Sequence, residues 1–517
     1  MKIKKTALSL FIGLAFAATT QAAEIDHVLL ISVDGLHALD VEHYIASHPD
    51  SALAELSEHG TTYTNARTPA NSDSFPGLLA LVTGGSPISH GLFYDVSYDR
   101  TLFDPANTSC AGPAGNVIIF DESIDKYTSA NVSLDEINPA MLPRGLDKQG
   151  KCVAVYPHDV IKTNTLFEVV KSFGGRTAWA DKHPAYDLVN GPSGKGVDDL
   201  YTPEITNVNG FDSTVSVVCT AENDQKKVAA ILNEIHGLKH DGSPGKGVPT
   251  VFGMNFQAVS VGQKMAQDNR DGSCAQSTFT GQAGGYLDGA GTPSEVLAYG
   301  LQKTDGALGS MIKALKQQRL YESTLFIVSA KHGQSPINPV KLNKPGHFAD
   351  LVATLPDASS SEAAQLIASA AACSTGPCGL VQDDDVALIW LPDQSKTQMV
   401  ADYLNTNARA LFIDQVMAGD DLKLKFKDPA TDSRTPDLIV QPQYGTIYTG
   451  SGKKIAEHGG FSFGDTNVGL IVSNPHYSHS VVKTPVLSSS VAPTILRALG
   501  IDPQALHSVQ IEHTPVL

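Results

Sequence analysis

The sequence predicts an α/β fold with a mostly parallel central sheet that carries helices on both faces. Two observations support this prediction. Short apolar runs typical of buried strands lie at residues 27–33, 177–180, 251–256, 324–329, 438–440 and 469–472. Stretches with helical periodicity lie between them, at residues 165–173, 224–236, 294–320 and 488–499. Strands that alternate with helices form parallel sheets, because each crossover lays a helix on a face of the sheet.

Two stretches interrupt this alternation, and we expect both to be insertions. Residues 99–162 are rich in Pro, Gly and Asn and predict a loop-rich excursion. Residues 339–432 carry their own helix–strand–helix pattern and predict a small α/β cap over the sheet. The core is then expected to comprise residues 23–338 and 433–517.

The first 22 residues are typical of a secretory signal peptide. Three lysines precede an apolar run at residues 7–18, and small residues follow where signal peptidase cleaves. The run is too short for a membrane span, and no later stretch reaches the roughly 20 apolar residues that a span needs. We therefore expect a periplasmic or secreted protein without a membrane span.

Six cysteines predict three disulfides, because an even number in an exported chain is typical of a disulfide framework. Cys373 and Cys378 bracket a turn that could bring them together. Chain order favours Cys110 with Cys152 and Cys219 with Cys274, although spacing alone does not fix the connectivity. A zinc–thiolate cluster is the alternative, but the chain has no C-x-x-C pair.

The chain is acidic, with a formal net charge of -17 at pH 7. Such a surface repels nucleic-acid polymers and anionic membranes, so we expect neither as a partner. A small-molecule substrate remains the expected partner, and the sequence leaves the oligomeric state open.

Several predicted strands end in residues that can carry chemistry. Asp34 follows the first strand, Asp181 follows the second and His332 lies just after a later one. Ligands bind at the carboxyl ends of strands in such sheets, so these residues predict a site. Lys182 and His183 follow Asp181 and are candidates for substrate binding, a solvated turn being the alternative.

Ser74 is the candidate nucleophile. A polar loop leads into it, and Phe75 and Pro76 then open an apolar helical segment. At a helix N-terminus, free N–H groups and the helix dipole stabilise an anion, which suits attack of a hydroxyl on phosphorus. The alternative is that Ser74 only caps the helix.

The motifs around Ser74 resemble one known family. The chain has VDG at residues 33–35, SFPG at 74–77 and LVTGGSPISHG at 81–91. Weaker matches follow in the same order: TDGALG at 304–309, STLFIVS at 323–329, and HG at 332–333 and 458–459. Together they are similar to the type I phosphodiesterase/nucleotide pyrophosphatase branch of the alkaline-phosphatase superfamily, over most of the chain outside the insertions.

This resemblance implies an alkaline-phosphatase-like fold and a metal-dependent phosphoester hydrolase. In the family, two zinc-like ions flank a threonine or serine nucleophile. Carried over, Ser74 would be nucleophile and metal ligand, and Asp34, His332 and His458 would be further ligands. The expected cofactor is therefore a divalent metal, zinc in the first instance, as one or two ions that clamp the attacking and leaving oxygens. The resemblance leaves open the identity of the substrate.

The chain also departs from the family pattern. Lys331 stands where the family has a carboxylate ligand, and Val259 and Gln263 stand where it has an aspartate and a histidine. Asp95 replaces an asparagine that contacts the phosphoryl group, and Gly77 replaces another asparagine. The family's two-metal site therefore cannot be assembled from the expected positions.

Three interpretations remain. In the first, ligands come from elsewhere, with Asp73, Asp95, Asp181 and His183 as candidates. Alternatively, one metal binds to Asp34, Ser74 and His332, while Lys331 replaces the second ion as a fixed positive charge and pairs with Asp95 or Asp34. The third is a non-catalytic, ligand-binding relic. Joint retention of Ser74, Asp34, His332 and His458 favours an enzyme with altered metal chemistry.

Related activities of the superfamily are further alternatives. A sulfatase is one, but the sequence after Ser74 lacks the arginine of the maturation signal of those enzymes. A phosphomonoesterase is another, and the sequence does not separate it from a diesterase.

Overall fold

The computed structural model describes residues 24–119, 124, 137–206, 211–269, 274 and 278–517. The predicted signal peptide lies outside the described residues. Within the described ranges, no helix is long and apolar enough to cross a membrane.

The strands and helices follow the predicted alternation. The strands are β1 (His27–Val33), β2 (Gly60–Tyr63), β3 (Ala66–Arg67), β4 (Val96–Asp99), β5 (Asn116–Ile119), β6 (Arg144–Leu146), β7 (Cys152–Ala154), β8 (Thr177–Ala180), β9 (Asp199–Tyr201), β10 (Val251–Phe256), β11 (Thr324–Ser329), β12 (Leu380–Asp383), β13 (Ala387–Trp390), β14 (Ile413–Ala418), β15 (Leu438–Pro442), β16 (Ile471–Ser473), β17 (Ser480–Val482) and β18 (Val486–Leu487). The helices are α1 (Ala38–Ser47), α2 (Ala52–Glu58), α3 (Ser74–Thr83), α4 (Pro87–His90), α5 (Pro157–Val160), α6 (Leu166–Ser172), α7 (Val217–Ile235), α8 (Ala258–Lys264), α9 (Glu295–Gln317), α10 (Phe348–Ala353), α11 (Glu362–Ala371), α12 (Thr397–Thr406), α13 (Gly419–Lys423), α14 (Phe463–Thr466), α15 (Val491–Ala498) and α16 (His507–Glu512).

The central sheet has eight strands in the order β17-β2-β16-β11-β1-β10-β8-β9. The five strands from β11 to β9 are parallel, whereas β16 runs antiparallel to both of its neighbours. Val28 to Val33 of β1 are all buried, as expected for a central strand covered on both faces. The predicted α/β class and mostly parallel sheet are confirmed.

Two groups of helices pack beside this sheet. One contains α2, α7, α8 and α9, and the other contains α3, α6, α15 and α16. Each group buries an apolar stripe, and in α9 this stripe includes Leu297, Leu301, Leu308 and Leu315. The predicted helices at residues 165–173, 224–236, 294–320 and 488–499 correspond to α6, α7, α9 and α15.

A second, antiparallel sheet has the strand order β12-β13-β15-β14. It packs with α10, α11 and α12 around a separate core that includes Phe348, Ile367, Leu404 and Val440. The apolar run at residues 438–440 therefore does not belong to the central sheet, contrary to its prediction as a further core strand. An apolar run fits the interior of either sheet. Its pairing with β13 and β14 shows that it belongs to the second one.

The described part of residues 99–162 contains short ribbons rather than long elements. β4 pairs with β5 and β6 pairs with β7, both antiparallel. The β4–β5 ribbon packs against the second sheet, where Tyr98 and Val117 share a core with Trp390 and Ile439.

Three disulfides cross-link the chain, and they are the pairs that the turn between Cys373 and Cys378 and the chain order of the other four cysteines favour. They join Cys110 to Cys152, Cys219 to Cys274 and Cys373 to Cys378. All six cysteines are among the described residues and all are paired, so none is left for the zinc–thiolate alternative.

Candidate active site

The carboxyl ends of the parallel strands bring the predicted residues together. Asp34 follows β1, Asp181 follows β8, and Lys331 and His332 lie two and three residues beyond the end of β11. Lys331 Nζ lies 3.2 Å from both carboxylate oxygens of Asp181 and 3.8 Å from Asp34 Oδ1. All three side chains are buried. The sequence predicted Asp34 or Asp95 as the partner of Lys331, but its nearest partner is Asp181.

Ser74 is the first residue of α3, next to His332. Its Oγ lies 3.3 Å from His332 Nε2. Gly77 permits this approach, because a Cβ at that position would collide with the carbonyl oxygen of Lys331. Helix α3 can therefore lie directly against the segment that carries Lys331 and His332.

The N-terminus of α3 is already capped. Asp73 occupies the N-cap position, and its Oδ2 accepts a hydrogen bond of 3.2 Å from the N–H of Phe75. Pro76 has no N–H group. The helix N–H groups that the sequence offered for a developing oxyanion are therefore largely taken or absent.

The hydrogen bonds of His332 fix the role of each ring nitrogen. Its Nδ1 lies 2.9 Å from the carbonyl oxygen of Gly333, which can only accept, so Nδ1 carries the proton. Burial lowers the pKa of His332, although Asp34 opposes the shift. A neutral ring of this tautomer directs the lone pair of Nε2 towards Ser74 Oγ.

Asp34 lies at the centre of the cluster. Its Oδ2 is 3.3 Å from Lys182 Nζ and 3.8 Å from His332 Nε2, and it accepts a short hydrogen bond from the Gln257 side-chain amide. Burial alone would raise the pKa of Asp34, but Lys331, Lys182 and His332 outweigh it and hold the pKa well below its usual range. Asp34 is therefore a carboxylate.

Two ammonium groups balance two carboxylates here. Burial lowers the pKa of Lys331 to about 8, against the attraction of Asp181 and Asp34. Its Nζ lies 4.0 Å from the centre of the Tyr186 ring, which adds a cation–π contact. The pKa of Lys182 is raised, because Asp34 and Asp181 outweigh burial. About 15% of the Lys182 side chain is exposed, which makes it the part of the cluster that meets solvent.

His458 lies beside this cluster and faces Asp73. Its ring centre is 3.9 Å from that of His332, and its Nδ1 is 3.4 Å from Asp73 Oδ1. Burial and the nearby His332 hold the pKa of His458 well below its usual range. Burial and the charge of Asp95 raise the pKa of Asp73, which places Asp95 in the same group. The half-buried Asp95 also accepts a 2.7 Å hydrogen bond from the N–H of Val96.

His183 points elsewhere, since its Nδ1 lies 2.8 Å from Glu204 Oε1. The aromatic side chains near the cluster that could line a pocket for a nucleotide base are also buried: Tyr186 stacks on Phe75 at 4.9 Å, Phe93 packs near Phe426, and Tyr94 donates to Asp384. The structure thus gives Tyr186 a place beneath Lys331 rather than in an open base pocket.

Sequence reasoning missed two residues of the cluster. Gln257 directly follows β10, so the strand-end rule that found Asp34 would also have found it. Nothing in the sequence indicated that the Tyr186 ring lies under the Lys331 ammonium group.

The residues present do not fit the two-ion site that the resemblance implies. Among the described residues, no group of three or more His, Cys, Asp or Glu side chains converges as around a metal. Val259 is packed in the core, and the Gln263 amide donates to the carbonyl oxygen of Gly35 at 2.8 Å. The Lys182 ammonium group already lies beside Asp34 Oδ2, and it would repel a metal cation bound to the same oxygen.

A family comparison identifies the chain. The profile of the type I phosphodiesterase/nucleotide pyrophosphatase family matches residues 28–133 and 281–462, more than half of the sequence. The chain belongs to this family. It is thus a phosphodiesterase- or pyrophosphatase-like member of the alkaline-phosphatase superfamily. No curated protein sequence matches the chain.

Solved structures support the same fold. Murine ectonucleotide pyrophosphatase/phosphodiesterase 5 is 14% identical, with a TM-score of 0.55 over 92% of this chain and 96% of that one. Its human counterpart is 15% identical, with a TM-score of 0.54 over 92% of this chain and 95% of the human one. The alkaline phosphatase PafA is 12% identical, with a TM-score of 0.58 over 93% and 96%. Such low identities show an alkaline-phosphatase-like fold and no more.

Proposed function

We propose that the protein hydrolyses small phosphoesters with Ser74 as the nucleophile and His332 as its general base. One observation carries this proposal: the 3.3 Å approach of Ser74 Oγ to His332 Nε2 beside Asp34 and the two ammonium groups. Family membership supports the reaction class.

His332 is placed to take the proton of Ser74. A serine hydroxyl is a weak nucleophile until an adjacent base removes its proton. The hydrogen bond from His332 Nδ1 to the Gly333 carbonyl holds the ring so that the unprotonated Nε2 faces Ser74. After proton transfer, the imidazolium lies 3.8 Å from the Asp34 carboxylate, which stabilises its charge.

Lys331 and Lys182 supply fixed positive charge for the phosphoryl oxygens. Contact with Asp181 and Tyr186 holds Lys331 in one place, whereas Lys182 lies at the solvent side of the cluster. Ammonium groups positioned in advance stabilise the charge that develops on a transferring phosphoryl group. Asp34 and Asp181 balance these two charges, so the cluster suits a monoanionic diester better than a dianionic monoester.

The reaction balances in two steps. In the first, Ser74 Oγ bonds to phosphorus, the bond to the leaving oxygen breaks, the Ser74 proton moves to His332 Nε2, and the leaving alkoxide takes a proton from solvent. In the second, a water oxygen bonds to phosphorus, the Ser74 ester bond breaks, and Oγ recovers the proton from His332. The water supplies the hydroxyl group of the product and returns one proton to solvent.

No step of this reaction uses a metal ion, although the resemblance implies one. The positions that would hold a second ion carry Val259 and Gln263, and a lysine takes the place of a carboxylate ligand. The positive charge that the ions would supply comes from Lys331 and Lys182 in this proposal.

We also propose that the protein functions in the periplasm or outside the cell. Three disulfides fit an oxidising compartment, where such bonds persist. Cell fractionation tests this proposal, and recovery of the bulk of the protein with reduced cysteines in the cytoplasm would contradict it.

Replacement of Ser74 tests the proposed function directly. We expect Ser74→Ala to fold normally and to lose hydrolysis of bis(4-nitrophenyl) phosphate by at least about 10³-fold, because no other oxygen attacks in its place. Ser72→Ala is the matched control, since Ser72 lies in the same loop and bonds to the Asp465 carbonyl. A folded Ser74→Ala protein with the wild-type rate would refute the proposal.

A further inference from the structure

A cavity with basic walls lies near the end of α8. It has a volume of about 400 Å³, and its lining includes Lys264, Lys453, Lys454, Gln267, Asn269 and Asp212. Three lysines around one cavity are unusual in a chain with a net charge of -17. The cavity is therefore a local positive region on an acidic protein.

Backbone pairing between two segments builds the lysine wall. The N–H of Ile455 donates to the Lys264 carbonyl at 2.8 Å, and the N–H of Ala266 donates to the Lys453 carbonyl at 2.7 Å. Met265 and Lys454 form a bridge between these bonds. Lys264 is thereby fixed beside Lys453 and Lys454.

The charges around the cavity leave Lys264 available for a ligand. Lys454 pairs with Glu457, and Asp212 accepts hydrogen bonds from the backbone and hydroxyl of Thr214. Within the described ranges, the Lys264 ammonium group forms no hydrogen bond or ion pair. Burial lowers the pKa of Lys264, and the nearby ammonium groups of Lys454 and Lys182 lower it further. The negative charge of Glu457 opposes this shift but does not cancel it.

The cavity is close to the candidate active site. Gln257, which contacts Asp34, immediately precedes α8, and Lys264 ends that helix. Seven residues of helix span about 10 Å. On the other wall, Lys454 lies only four residues before His458, and the charge of Lys264 contributes to the lowered pKa of His458.

We propose that this cavity is a subsite for a second anionic group of the substrate, with Lys264 as its principal contact. The proposal rests on the proposed function and narrows it to phosphodiesters or phosphoanhydrides that carry a further phosphate or carboxylate. A substrate bound at Ser74 then places its second anion against Lys264 and Lys453. Such a group gains charge-assisted hydrogen bonds that a simple diester lacks.

Binding of inorganic anions tests this subsite without turnover. In a Ser74→Ala background, calorimetry should show tighter binding of pyrophosphate than of phosphate. Lys264→Met should weaken pyrophosphate binding about tenfold and phosphate binding by less than about threefold, because only the longer anion reaches the subsite. Lys264→Arg should retain the preference, and the exposed Lys148→Met is the matched control.

The outcomes separate the subsite from the proposed hydrolysis. Equal binding of the two anions, or equal loss of both in Lys264→Met, would overturn the subsite. Weakening in Lys148→Met as large as in Lys264→Met would do the same. Loss of the proposed function would appear instead as an active, folded Ser74→Ala protein, whatever the anion preference.

Discussion

The Lys331 ammonium group lies 3.2 Å from both carboxylate oxygens of Asp181. Lys331 stands at the position where the family has an acidic metal ligand. Both side chains are fully buried. A buried ion pair of this kind is stable only while both partners are present. This pair keeps a buried positive charge next to Asp34.

Removal of the carboxylate should therefore destabilise the fold. We expect Asp181→Asn to reduce the free energy of unfolding by about 3 kcal/mol, because the Lys331 charge keeps only the more distant Asp34. Urea unfolding measures this change. The double variant Asp181→Asn/Lys331→Met should lose less than the sum of the single changes. A wild-type midpoint for Asp181→Asn would show that the pair does not hold the site together.

Metal removal distinguishes an ammonium-based site from a metal-based one. We expect hydrolysis of bis(4-nitrophenyl) phosphate to survive dialysis against a chelator, because Lys331 and Lys182 supply the positive charge. Metal analysis of the same active sample checks that the chelator worked. Activity that disappears with the chelator and returns with added zinc would contradict this prediction.

His332 and His458 should respond differently to substitution. We expect His332→Gln to lower kcat by about 10²- to 10³-fold with little change in KM, because general-base catalysis contributes that much. His458→Gln should lose less than about tenfold, since its Nδ1 faces Asp73. Steady-state kinetics of the two variants measures both effects. Equal losses in both would instead favour two metal ligands.

A partly buried ion pair gives a pH dependence of stability. A 2.6 Å hydrogen bond from His240 Nδ1 to Asp199 raises the pKa of His240 above its unfolded value of about 6.5. The resulting stabilisation is fully present below that value and is lost as the pH rises through the folded pKa. The free energy of unfolding should therefore fall between pH 5 and pH 9 by more in the wild type than in His240→Gln. Parallel pH profiles would contradict the assignment.

Strand ends were predictable from the sequence because they follow a local rule. A buried apolar run that ends at Asp34, at Asp181 or before His332 places each residue at the same edge of a parallel sheet. The convergence of these residues follows from the direction of the strands. The helix cap is also a local feature, but the sequence analysis considered it for Ser74, whereas Asp73 occupies the N-cap position.

Contacts between distant segments were not predictable in this way. An apolar run such as residues 438–440 does not indicate which sheet it joins, so β15 was predicted in the wrong sheet. The direction of the His183 ring towards Glu204 and the position of Tyr186 under Lys331 depend on side-chain packing between separate segments. The choice of Asp181 as the partner of Lys331 depends on the strand order β11-β1-β10-β8, which the sequence does not state.

The most direct test is to trap the covalent intermediate on Ser74. A rapid acid quench during turnover of bis(4-nitrophenyl) phosphate, followed by peptide mass spectrometry, reports which residue carries the phosphoryl group. We expect the added mass on the peptide that contains Ser74, and none in Ser74→Ala. Steady turnover with an unmodified Ser74 peptide at every quench time, or with the phosphoryl group on another residue, would contradict nucleophilic attack by Ser74.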